Sequence, residues 1–273
     1  MKRLEPWRRY DLERLQLGAA RYAGSVRACI KFLLLFPWIK TGLTNKFAFG
    51  TLALQDSLQY RNKGIPEKEV WEIFPGIGHV DVTIGKVFPD EGSTISFREA
   101  VVLGGIIRCL KPARVFEIGT SRGVSSYIIA SNLPDNGKVF TLDLPPAAEG
   151  IPGTRYAVTI SDRKMIFADR RERRFLSTEA GKKVVQLHGD SATCDYSEYQ
   201  GNCDVVFIDG SHSEEYIRSD TETGMRLVRK GGVIIWHDFN DGFFWPAVSR
   251  HLNRHARDHR LTRIKGTMFC VTS

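Results

Sequence analysis

"VFEIGTSRGVSS", residues 115–126, runs from an apolar, β-prone stretch into an acid, then through two glycines four positions apart, and on into an apolar helix-like segment. The pattern predicts a strand, a tight turn and a helix. Glycines at 119 and 123 permit backbone angles closed to other residues and let a ligand approach the main chain. The spacing E-x-G-x-x-x-G is not the G-x-G-x-x-G of a dinucleotide fold, nor a P-loop, which carries Lys after its last Gly. No diphosphate cradle is therefore expected. Glu117 at the strand end would repel a phosphate and suits a ligand with positive charge or hydroxyl donors.

Outward from this turn the pattern is regular. "SFREAVVLGGIIRCL" predicts a helix capped by Ser96, with Glu99 three residues later, and ended by Pro112. "ARVFEIG", "KVFTLDL", "KVVQLHG", "CDVVFIDG" and "GGVIIWHD" are five short β-rich runs, mostly separated by helix-length segments. That alternation is the signature of a parallel sheet with crossover helices. A helix near "PAVSRHLNRHARDH" and two final runs, "RLTRIKG" and "TMFCVTS", complete it.

The 273 residues, 42% hydrophobic and 26% charged, suffice for a full globular core. The cysteines (Cys29, Cys109, Cys194, Cys203, Cys270) are odd in number and never spaced C-x-x-C, which excludes a disulfide framework or zinc-finger reading and predicts reduced, mostly buried thiols. Residues 1–46 hold ten Lys or Arg against three acids, so seven of the eight net positive charges sit there. The remainder is nearly neutral, which argues against nucleic acid as a partner of that part of the chain. Residues 12–35 form a basic amphipathic helix pattern, while the apolar run "FLLLFPWI" (32–39) is too short to span a membrane and no secretory signal is evident. This segment suits peripheral docking on an acidic membrane surface or a partner helix, or packing on its own domain or a dimer mate. Residues 40–95 look like a loop-rich connection with short elements.

In an open parallel sheet, ligands lie beyond the carboxyl ends of the strands, near the point where strand order reverses. The polar residues at those ends are Glu117, Asp143, Asp190, Asp209 with His212, and His237 with Asp238. Asp143, ending the next strand 26 residues after Glu117, stands where a carboxylate accepts both ribose hydroxyls, which points to a nucleoside. Asp190 in "HGDSA" suits an adenine amino group or an ordinary turn or helix cap. A nucleoside without a phosphate cradle, beside several acids, matches S-adenosylmethionine.

The order E-x-G-x-x-x-G, strand-end Asp, "GDS", "FIDGSH" and "GGVIIWHD" resembles the class I S-adenosylmethionine-dependent methyltransferases over roughly residues 96–273. Within them, "VFIDGSHSEEYIRSDTE" and "VRKGGVIIWHDF" look most like the small-molecule O-methyltransferases that include macrolide-sugar methyltransferases. The resemblance implies a Rossmann-like α/β sheet, mostly parallel, seven-stranded with the last strand antiparallel, and helices on both faces. It implies cofactor contacts from Glu117, Gly119, Ser121, Gly123, Ser125, Asp143, Asp190, Ser191 and Asp209. It carries over Mg2+ or another divalent metal onto Asp209, His237 and Asp238, with the departure that His237 stands where the metal-dependent relatives have an acid. His212, the fourth residue of "DGSH", takes the place of their general base, a role suited to a His near its ordinary pKa.

His251, His255 and His259 share a helix face and read as a solvated stripe. "RKMIFADRRERR" (163–174) reads as a lid for an acidic acceptor or as a solvated helix, and "FFW" (243–245) as an acceptor-pocket wall or core. The expectation is an N-terminal helical and loop-rich extension, 1–95, followed by a methyltransferase domain, 96–273. It moves a methyl group to a hydroxyl of a small molecule such as a sugar of a glycoside or glycolipid. The alternative is a non-catalytic or non-methyltransferase cofactor-binding protein of the same fold, docked on a membrane or partner. A cytoplasmic location, with peripheral contact at the inner membrane face through residues 1–46, and a homo-oligomer complete the expectations.

Overall fold

The computed structural model describes residues 64–85, 95–145, 153–159, 162–163, 166, 173–240 and 245–272. The basic helix expected over 12–35, the docking role of 1–46 and most of the extension 1–95 lie outside them. In chain order the elements are β1 (Glu67–Lys68), α1 (Val70–Ile73), α2 (Phe97–Leu110), β2 (Arg114–Ile118), α3 (Val124–Asn132), β3 (Lys138–Asp143), β4 (Val184–His188) and β5 (Cys203–Ile208). Then follow α4 (Glu214–Leu227), β6 (Val228–Trp236), α5 (Pro246–His255), β7 (Leu261–Ile264) and β8 (Cys270–Thr272).

The strands form one sheet in the order β1-β7-β8-β6-β5-β2-β3-β4. All neighbours are parallel except β8, which runs antiparallel to both β6 and β7. The sheet has eight strands where the sequence predicts seven. The additional one, β1, is two exposed residues at the sheet edge, too short to show any periodicity in the sequence. Its pairing rests on the amide of Arg263 donating to Pro66 O and that of Lys265 donating to Lys68 O. The crossover from β4 to β5, residues 189–202, is built of turns rather than a helix.

Period-2 alternation along the strands sends side chains to two separate cores. Val115, Val139, Val205, Phe207, Ile235 and Val271 face α2 and α3, where Leu103, Ile106, Ile107 and Ile129 meet them. Phe116, Ile118, Leu142, Val206, Ile208 and Trp236 face the other way, onto Tyr196, Tyr199, Ile217 and Leu227, and onto Val248 and Leu252 of α5. Helix α2 starts where the sequence places it: Ser96 Oγ accepts the Glu99 amide at 3.3 Å while the Glu99 carboxylate accepts the Ser96 amide at 2.8 Å. Among the described residues no helix is long and apolar enough to cross a membrane.

Strand order reverses between β2 and β5, and there the two main chains come closest. Gly119 has φ of +98°, and a Cβ on it would lie 2.0 Å from the carbonyl oxygen of Asp209. Gly119→Ala should therefore lower the unfolding free energy by at least about 2 kcal/mol, from backbone strain and a clash with main chain that cannot move aside. Urea denaturation of the variant checks this, and a wild-type midpoint would refute the close approach.

Candidate active site

A half-open cleft of about 100 Å³ lies over the carboxyl ends of β2 to β5. Gly119 and Ser121 line it from the turn after β2, Asp143 and Leu144 from β3, Asp190 and Ser191 from β4, and Asp209 to Ser211 from β5. Val158, Asp162 and Ile166 add a wall from the segment between β3 and β4. The strand ends are held level by backbone bonds: the Gly119 amide donates to Leu142 O (2.9 Å), Asp209 to Ile118 O (2.9 Å), Gly189 to Asp143 O (3.0 Å) and His237 to Ile208 O (3.0 Å).

The turn itself winds through positive φ at Gly119 (98°), Ser121 (44°) and Gly123 (75°). This presents the Ser121 amide to Asp143 Oδ2 at 2.7 Å, while Asp143 Oδ1 accepts the Leu144 amide at 2.8 Å. Arg173 lies across the turn, donating from Nη1 to Ser121 O at 2.7 Å and reaching Asp143 Oδ2 at 3.5 Å. Gly123 supports the turn from beneath the Phe175 ring, which a Cβ there would meet at 2.6 Å. Glu117 does not line the cleft: it is fully buried below the turn, where it accepts hydroxyl hydrogen bonds from Ser126 and from Thr141 (2.5 Å). Its Oε1 has no hydrogen-bond partner. Burial raises its pKa to about 7 against the opposing pull of the Ser125, Ser126 and Thr141 hydroxyls. Ser125 is thus buried with Glu117 rather than facing the cleft.

Asp190 lines the cleft and locks its floor. Its Oδ2 accepts the Arg155 amide (2.7 Å), and its Oδ1 accepts the Ala192 amide (3.0 Å) and the Tyr216 hydroxyl (2.9 Å).

Beside the cleft, imidazoles and carboxylates alternate in a chain. His212 Nδ1 is 2.5 Å from Asp162 Oδ1, and its Nε2 is 2.7 Å from Asp238 Oδ2. His237 Nδ1 lies 3.0 Å from Asp209 Oδ1 and 3.4 Å from Asp238 Oδ2, and its Nε2 lies 3.5 Å from Glu99 Oε1. Trp245 stacks on His212 with ring centroids 3.7 Å apart, so one residue of "FFW" walls this region; Phe243 and Phe244 lie outside the described residues. Burial works against a charged His212, but Asp238 and Asp162 outweigh it and hold the pKa at about 10. His237 is likewise raised, against burial, by Asp238 and Asp209. Asp238 is held low: burial opposes its charge, and both histidines overcome that. Glu99 is also buried, yet His237 and the amides of Met268 and Ser96 bring it to about 2. Asp209, His237 and Asp238 each offer a ligand atom, all within 4.8 Å of one another, so this donor set fits a divalent cation.

The expected residues therefore fall into three places. Gly119, Ser121, Asp143, Asp190, Ser191 and Asp209 line the cleft, Glu117, Gly123 and Ser125 support the turn, and His212, His237 and Asp238 form the adjoining chain with Asp209. Asp162 belongs to both cleft and chain and was not singled out. Its signal is "TISD", a T-x-x-D pattern realised as the Thr159 amide donating to Asp162 Oδ2 (3.2 Å) and the Asp162 amide to Thr159 Oγ1 (3.1 Å). Glu99, Tyr216 and Arg173 were likewise unmarked as site residues. Of the segment 163–174, only residues 163, 166, 173 and 174 are described. His251, His255 and His259 form a stacked column, with centroids 5.9 and 4.1 Å apart; His255 packs edge-on against Trp236 and is half-buried like His251, while His259 is exposed to solvent as expected.

A histidine whose folded pKa lies near 10 against about 6.5 unfolded stabilises the fold fully below pH 6.5 and loses that contribution as pH rises through 10. The unfolding free energy of the wild type should accordingly fall by a few kcal/mol between pH 6 and 10, and more steeply than that of His212→Gln. Denaturation of both at pH 6 and 9.5 measures the difference, and parallel losses would show that His212 is not a buried cation.

Residues 116–239 match the family model "Methyltransferase domain". Over 160 residues the chain is 30% identical to a provisionally named O-methyltransferase of Mycobacterium ulcerans, covering 58% of each. It is 26% identical over 162 residues to a like-named protein of Mycobacterium sp. (strain JLS), covering 58% of this chain and 59% of that one. The chain thus matches less than two thirds of the length of these relatives. Among solved structures it aligns with the SAH-bound methyltransferase of Podospora anserina at 17% identity, over 85% of this chain and 96% of that one, with a TM-score of 0.48. It also aligns with the SAM complex of a Streptomyces achromogenes O-methyltransferase involved in tomaymycin synthesis, at 18% identity over 79% and 93%, with a TM-score of 0.46. The family match thus spans residues 116–239, from β2 to just past β6, the stretch that carries Gly119, Asp143, Asp190, Asp209, His212, His237 and Asp238.

Proposed function

We propose that the chain transfers a methyl group from S-adenosylmethionine to a hydroxyl of a small molecule, such as a sugar of a glycoside or glycolipid. The observation that carries this reading is the charge of the cleft. Among the described residues its lining holds four carboxylates, Asp143, Asp162, Asp190 and Asp209, and no lysine or arginine. Such a lining disfavours a diphosphate and favours a ligand with a cationic centre, an ammonium group and ribose hydroxyls.

S-adenosylmethionine supplies an electrophilic methyl group on a sulfonium. For the protein's part, Asp143 at the end of β3 accepts the ribose hydroxyls, and the open main chain at Gly119 and Ser121 meets the methionine end. Leu142, Leu144, Val158 and Ile166 offer apolar surface for the base. His212 takes the acceptor proton at Nε2 once that nitrogen is neutral, as the oxygen attacks in line. With a pKa of about 10, only about one His212 in a thousand is neutral at pH 7. Asp209, His237 and Asp238 are the residues that would hold a divalent cation, whose chemistry here is to lower the pKa of the acceptor hydroxyl. Free thiols at Cys109, Cys194, Cys203 and Cys270 agree with a reducing, cytoplasmic setting.

Calorimetric titration with S-adenosylhomocysteine tests the cofactor half. Asp143→Ala should lose on the order of 1.5–3 kcal/mol for each hydroxyl contact removed. Unchanged affinity in a folded variant would take Asp143 out of the site, and preference for a dinucleotide would overturn the reading.

Methyl transfer from labelled cofactor to a panel of sugar and phenol acceptors tests the other half. His212→Ala should keep the affinity for S-adenosylhomocysteine and lose roughly 10² to 10⁴ in turnover. Wild-type turnover should climb with pH toward 10. Full activity in His212→Ala, or a rate that is flat in pH, would end the base assignment.

A further inference from the structure

His237 is seated so that one ring nitrogen faces two carboxylates and the other faces a third. On the Nδ1 side lie Asp209 (3.0 Å) and Asp238 (3.4 Å), and on the Nε2 side lies Glu99 Oε1 at 3.5 Å, within ion-pair range of a buried ring nitrogen that has no hydrogen-bond partner. Glu99 is not free to swing away. Its Oε2 accepts from the Ser96 amide and hydroxyl, both at 2.8 Å, and its Oε1 accepts the Met268 amide at 2.8 Å. The imidazole is confined as well, since Phe207 and Phe269 flank it with centroids 6.4 and 5.5 Å away.

We propose that Glu99 and His237 work as one unit, which aims Nδ1 at the gap between Asp209 and Asp238 and makes this a site for a nitrogen-accepting divalent metal such as Co2+ or Zn2+ in preference to Mg2+. An imidazole backed by a carboxylate is a fixed and more basic ligand, and it suits these metals. Magnesium instead favours oxygen donors and retained waters. On loading, the Nδ1 proton leaves to solvent while the Nε2–H stays on the Glu99 side. Glu99 is in this sense a positioning residue, which reaches the metal through His237. The inference deepens the proposed function, because it rests on Asp209, His237 and Asp238 being the acceptor-side site.

The test is calorimetric titration of the chelator-treated full chain with CoCl2, ZnCl2 and MgCl2, with the visible absorption of bound cobalt as a second readout. Affinity for S-adenosylhomocysteine is measured on the same samples. Cobalt and zinc should bind at least about tenfold more tightly than magnesium, and Glu99→Gln should weaken cobalt by roughly 10- to 100-fold while sparing the nucleoside. Because Glu99 also caps α2, His237→Asp serves as the second variant and should remove the cobalt absorption and shift preference to magnesium. Equal affinity for magnesium and cobalt in the wild type, no cation binding at all, or unchanged cobalt affinity in Glu99→Gln would each overturn the proposal. Cobalt bound as expected without any nucleoside affinity would uphold this site while removing the methyl-transfer reading.

Discussion

Between the ends of β2 and β5 there is no room for a side chain, and most of the site follows from that. Gly119 passes so near the Asp209 carbonyl that only a hydrogen on its α-carbon is tolerated. The chain must then climb away through two further positive-φ residues before α3 begins. That climb exposes the Ser121 amide to Asp143, and it brings Asp209 beside the turn as a cleft residue. Strand order reverses at the same seam, so the crossover segments diverge to either side and leave the space above it open.

Electrostatics is the second constraint. Asp162, Asp238 and Glu99 are all nearly inaccessible to solvent, an arrangement that is costly for isolated carboxylates. They are tolerated because His212 and His237 lie between them and share the charge, and because Asp162 and Glu99 also accept amide hydrogen bonds. Losing one imidazole would leave two facing carboxylates uncompensated. The two histidines are therefore structural, and substitutions at either must be separated by fold and by turnover.

Much of this was legible in the sequence where local rules operate. The strand runs, the Ser96–Glu99 cap and the strand-end acids each follow from periodicity or from spacing within a few residues, and the structure has α2, β2 to β8 and α5 where those rules place them. β1 was not legible, since two exposed residues carry no pattern and gain their strand geometry only from β7. Asp162 and Glu99 were hidden for another reason. Each satisfies a local capping pattern, and nothing local tells that the same carboxylate also reaches a histidine, 50 residues on for Asp162 and on the β6 end for Glu99. Glu117 shows the converse: its position at a strand end suggested ligand contact, whereas burial among hydroxyls is a tertiary outcome.

The segment between β3 and β4 has a consequence for how such a protein could diverge or be re-engineered. Its residues touch three parts at once: Arg155 meets Asp190, Asp162 meets His212, and Arg173 to Phe175 tie down the turn at 121–123. A segment wired this way cannot be exchanged as a module to install a new acceptor preference. Any graft that keeps the cleft but drops these anchors would release Asp190, His212 and the turn at 121–123 together.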